Sequence, residues 1–83
     1  MCSMERLQFQ GRLGEKNLKA EELRIRIKGL VDSLRSHLDP FEMPEDLETE
    51  LIASQALELA KTRIEYVGIL QEIKAIKKAL GKE

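Results

Sequence analysis

From Phe9 to His37 an apolar or long-stemmed residue returns every three or four positions: Phe9, Leu13, Lys16, Ala20, Leu23, Ile27, Leu30, Leu34, His37. Steps that alternate four and three keep one face of an α-helix turned toward a neighbour. Held over this length, they are the pattern of a left-handed coiled coil. The spacing predicts a first helix over about residues 4–38. Ser3 suits its N-cap. Gly11 and Gly14 weaken the first turns by roughly 1 kcal/mol each relative to Ala, so a frayed start with firm helix only from about Glu15 is the alternative.

The pattern then breaks at Leu38-Asp39-Pro40-Phe41-Glu42-Met43-Pro44. Each proline lacks an N–H and restricts the residue before it, so two of them four positions apart stop a helix. The turn is expected at 39–43, with Phe41 and Met43 folding back to close the end of the core; Asp39-Pro40 reads equally well as a cap and first helical residue, which would put a short helical piece in the turn. Pro44 followed by Glu45, Asp46 and Glu48 is a good helix start, because acids suit the positive end of the helix dipole. A second row of fours and threes follows: Ile52, Ala56, Leu59, Arg63, Tyr66, Leu70, Ile73, Lys77, Leu80. It predicts a second helix over about 44–80, closed by Gly81 where a C-cap glycine belongs.

These elements imply an all-α chain and a single domain over 1–83: an antiparallel, coiled-coil-like helical hairpin. Folding about Phe41 sets Leu30 against Ile52, Leu23 against Leu59, Lys16 against Tyr66, Leu13 against Leu70 or Ile69, and Phe9 against Ile73. The expected hairpin core is therefore Phe9, Leu13, Leu23, Ile27, Leu30, Leu34, Ile52, Leu59, Tyr66, Leu70 and Ile73. Arg24, Arg26, Lys28 and Arg35 fall beside the acidic run Glu42 to Glu58, a polarity that selects the antiparallel arrangement.

One hairpin seam does not use all the apolar surface. Beside its seam the second helix carries Ala53, Leu57, Ala60, Ile64 and Val67, again spaced four and three. Helix one has its own surplus in Leu7, Gly11, Gly14, Leu18, Ile25 and Gly29. Such rows left in water would form a larger patch than monomers usually expose. The expected remedy is a homodimer completing a four-helix bundle, with Ala53, Leu57, Ala60, Ile64 and Val67 as the oligomer interface, or a complex with another helical protein.

Composition narrows the classes. Charged residues make up 35% of the chain, yet the net charge is only −1, which argues against a dedicated binder of nucleic acid or anionic membrane. No stretch approaches the ~20 apolar residues of a membrane span, and the N-terminal residues lack the apolar region of a signal peptide. With a single cysteine, Cys2, among 83 residues, disulfides do not staple the fold and a cytoplasmic setting is expected.

Candidate chemistry is sparse. His37 is the only histidine, and the acids nearest it, Asp39 and Glu42, come with no nucleophile. One Cys and one His far apart do not make a zinc site, and the acidic run lacks the glycine-containing loop of a calcium site. No metal, cofactor or catalytic residue is expected. Glu22-Leu23-Arg24-Ile25-Arg26-Ile27 faintly resembles the first helix of all-helical chorismate mutases. That likeness would imply several converging Arg and Lys residues and a third helix, which this chain does not supply, so no residue is carried over. The expected function is non-enzymatic: an interaction or assembly module acting through coiled-coil packing. The alternative is a small nucleic-acid-binding regulatory hairpin dimer using a basic edge of helix one, Arg24, Lys28 and Arg35.

Overall fold

The computed structural model describes residues 3–81, with the side chain of Ser3 excepted. The cap expected of Ser3 thus falls outside what is described. Two helices, α1 (Ser3–His37) and α2 (Thr49–Ala79), pack against each other, and a short 3₁₀ turn, Pro44–Asp46, lies between them. Among the described residues there is no strand. The chain is a rod of 64 × 17 × 14 Å. Polar pairs across the hairpin run in opposite chain directions: Lys16 with Glu72, Arg26 with Glu58, and Ser33 with Gln55. The helices are therefore antiparallel, and α1 continues through Gly11 and Gly14 without a break.

Every member of the α1 row, Phe9 to His37, is buried or half-buried, and Ser33 is the one residue added to it. On α2 the inward row is Ile52, Gln55, Leu59, Thr62, Tyr66, Ile69, Ile73, Ile76 and Leu80. It shares every seventh residue with the expected seam, but the residues between are each one position earlier. Gln55, Thr62, Ile69 and Ile76 face inward, while Ala56, Arg63, Leu70 and Lys77 are exposed. Leu70, expected in the hairpin core, is 42% exposed.

The physical reason lies in what each phase would bury. The expected phase places two cations, Arg63 and Lys77, against α1, and desolvating an unpaired charge costs several kcal/mol. The observed phase turns two neutral polar groups inward, Thr62 buried and Gln55 half-buried, each with a partner. The Thr62 hydroxyl donates to the Glu58 carbonyl at 2.8 Å, and Ser33 Oγ lies 3.0 Å from Gln55 Oε1. Hydrogen-bonded neutral groups are far cheaper to bury.

The turn also departs from expectation. Phe41 is 92% exposed and Met43 is exposed as well, so neither closes the core. The half-buried residues at this end are His37 and Leu47. Asp39 Oδ1 accepts the Phe41 N–H at 2.9 Å, and the Asp39 carbonyl accepts the Glu42 N–H at 3.1 Å. Asp39 and Pro40 thus set an Asx-type turn that aims Phe41 into solvent. The Pro44 segment is a 3₁₀ turn closed by Leu47 N–H to the Pro44 carbonyl, and the long helix begins five residues later, at Thr49. In an unbroken helix Leu47 would stand about 140° round from Ile52 and face water. The extended backbone at Leu47 (φ −68°, ψ 130°) re-aims it toward the hairpin. The longer connection moves the pairing centre from Phe41 toward Met43, and Lys16 consequently meets Glu72 at 2.7 Å instead of Tyr66.

At the far end, Gly81 has φ +71° and its N–H donates to the Lys78 carbonyl at 3.1 Å. That left-handed residue satisfies a helix-end carbonyl in a conformation that only glycine adopts cheaply.

Candidate interaction surface

Burial between the two helices is thin. Among the described residues only Ala20, Leu23, Thr62, Ile73, Ile76 and Leu80 are buried, and no large side chain is fully enclosed. The accessible surface is 6444 Å². A folded monomer of this mass exposes about 5000 Å², so the hairpin carries roughly 1400 Å² more than a compact chain would.

The exposed apolar side chains are spread over both helices and the turn, and one regular row of them lies on the outward face of α2. With the inward row defined, Leu57 and Ile64 stand about 170° away from it, pointing directly off α1. The row thus lies opposite the seam and not beside it. Leu57 is 57% and Ile64 70% exposed. Ala53 and Ala60 flank them in the open, and Val67 is half-buried. The five residues form a strip about 21 Å long. Lys61 and Arg63 border its middle, both exposed.

The charge along α2 and its approach is polarised. Glu42, Glu45, Asp46, Glu48 and Glu50 crowd the turn end, while Lys74, Lys77 and Lys78 occupy the open end, all of them exposed. The carboxylates suit the start of a helix and the ammonium groups its end. A second outward strip on α1, on the opposite side of the hairpin, exposes Met4, Leu7, Leu18 and Ile25.

The basic edge of α1 is less free than its sequence suggests. Arg24, Lys28 and Arg35 are exposed, but Arg24 is engaged by Glu21 one turn earlier. The hydrogen bond from Arg24, aided by the positive charges of Arg24 and Lys28, holds the Glu21 carboxyl below its ordinary range. The same bond raises Arg24. Neighbouring Arg26 reaches across to Glu58 on α2. Two arginines of this region therefore bind carboxylates of the same chain.

Elsewhere the structure gathers little chemistry. His37 is half-buried at the end of α1. An open groove of about 550 Å³ between the start of α1 and the end of α2 is lined by Phe9, Arg12, Lys16, Glu72, Ala75 and Ile76. Its Lys16 and Glu72 are already paired to each other. Among the described residues no group of three or more His, Cys, Asp or Glu is placed to hold a metal ion. No helix among them is long and apolar enough to cross a membrane. No protein family, curated protein or solved structure matches the chain.

Proposed function

We propose that this chain is a non-enzymatic helical interaction module that works by presenting the outward face of α2, and that the first occupant of that face is a second copy of the chain. The observation that carries the reading is the regular, exposed strip centred on Leu57 and Ile64. The lone hairpin, with roughly 1400 Å² more surface than a compact chain, spread over both helices, has unburied area for an interface, of which a standard one takes about 800 Å² from each partner. Pairing through this strip sets four helices in a row, α1 and α2 of one copy followed by α2 and α1 of the other. The outward strip on α1 is then left for a different helical protein, which suits an adaptor or assembly factor. The single cysteine fits a reducing, cytoplasmic setting.

Leu57→Glu and Ile64→Glu test the reading. Each puts a carboxylate into the shared face twice per dimer, at a cost of several kcal/mol unless the copies separate. Light scattering after size exclusion should show each variant at the monomer mass, with helical circular dichroism retained. A variant that stays fully assembled would show that the strip is not the contact.

A further inference from the structure

Within that reading, we propose that two copies pair α2 to α2 in an antiparallel sense, about a twofold axis passing through the strip at the level of Thr62. The inference rests on the association proposed above and adds its direction and register.

Antiparallel helices that share a four-three row set each residue of one class opposite one of the other class. Two such registers bring the strip together. One centres between Glu58 and Leu59 and sets Glu50 against the partner's Val67, leaving a carboxylate on an apolar contact. The other centres at Thr62. It sets Leu57 against the partner's Val67, Ala60 against the partner's Ile64, and Ala53 against the partner's Gln71. Large side chains then meet smaller ones at each layer, as interdigitated packing requires.

The second register also resolves the charges. Glu50 falls opposite the partner's Lys74, and the acidic turn with Glu45 and Asp46 lies at the level of the partner's Lys77 and Lys78. Twofold symmetry repeats each match. A parallel pair would instead stack five acids on five acids at one end and lysines on lysines at the other. Lys61 and Arg63 are the like charges nearest the axis, and their long stems carry the charge outward to water.

Cross-linking reads the register. The full-length chain is prepared with Cys2→Ser, so that each introduced thiol is the only one. Ala53→Cys and Gln71→Cys lie at exposed positions, and circular dichroism checks that both variants keep their helix. Under mild oxidation an equal mixture should give a covalent dimer containing one of each, because position 53 faces the partner's position 71 while neither faces its own copy. Each variant alone should stay uncross-linked, and Lys61→Cys should link to itself. Self-linking by Ala53→Cys and by Gln71→Cys, without the mixed product, would mean a parallel pair and overturn the inference. Linking only of Ala53→Cys to Ile64→Cys would mean the other antiparallel register, with the same result. An unmodified chain that never dimerises would instead overturn the proposed association itself. Independently, Glu50→Lys should weaken the dimer about fivefold, and adding Lys74→Glu should restore it. Failure of the second change to rescue the first would contradict the pairing.

Discussion

Exchanging two neighbours on α2, Thr62→Arg with Arg63→Thr, leaves the composition unchanged and reverses which of them faces α1. Thr62 is 7% exposed and its hydroxyl is satisfied by the Glu58 carbonyl. An arginine there overfills a packed position, which costs about 1–3 kcal/mol. It also removes a guanidinium from most of its water beside a Glu58 already held by Arg26, which costs about as much again. The total is about 3 kcal/mol, against roughly 4–12 kcal/mol for a chain of this length. A loss of that size lowers the melting temperature by about 12–24 °C. Thermal melts followed by circular dichroism at one fixed protein concentration measure it, since association makes the midpoint concentration-dependent. Arg63→Thr alone, at an exposed position, should move the midpoint little. If the exchanged variant melts with or above the parent chain, the inward row of α2 runs through Arg63 and not through Thr62.

Leu23→Ala, at the most enclosed stretch of α1, should cost about 3 kcal/mol, whereas Leu70→Ala should cost under about 1 kcal/mol; urea unfolding compares the two. Gly81→Ala forces a side chain into the left-handed region and should destabilise the end of α2 by about 1 kcal/mol, read as faster amide exchange over its last turn. The Glu21 carboxyl should titrate below the ordinary carboxylate range and return toward it in Arg24→Gln, followed by side-chain NMR. The sign is that of a depressed acid: the contribution is present at neutral pH and lost as pH falls through the folded midpoint. It is a small contribution, since both side chains of the pair are exposed and screened by solvent. Finally, mixed DNA or RNA in low salt should not retain the protein; retention abolished by Arg24→Glu with Lys28→Glu would establish the basic edge as the working surface instead.

The all-helical hairpin was legible because its signals agree. On α1 the row from Phe9 to His37 keeps its four-three spacing without a gap, whereas the second row of Leu7, Leu18 and Ile25 is interrupted by Gly11, Gly14 and Gly29, so the residues that pack could be read directly from the first. On α2 two phases share Ile52, Leu59, Tyr66, Ile73 and Leu80, and apolar counts barely separate them. The deciding signal was the chemistry of the intervening residues. One phase contains Arg63 and Lys77, while the other contains Ile69, Ile76 and two polar groups small enough to find partners. The turn was harder to read. Phe41 and Met43 suit a core, but the hydrogen bond from the Phe41 N–H to Asp39 fixes the backbone so that Phe41 points away, and this depends on local geometry. The strip Ala53, Leu57, Ala60, Ile64 and Val67 was visible as a pattern. Its placement opposite α1 followed only once the inward phase was known.

Self-association through the outward face of α2 is tested most directly by the absolute mass of the unmodified chain in solution, by light scattering across a wide concentration range. The expected result is a species at twice the 9.5 kDa chain mass that persists on dilution into the micromolar range. A monomer at every concentration would contradict self-association and leave the outward face of α2 without its second copy.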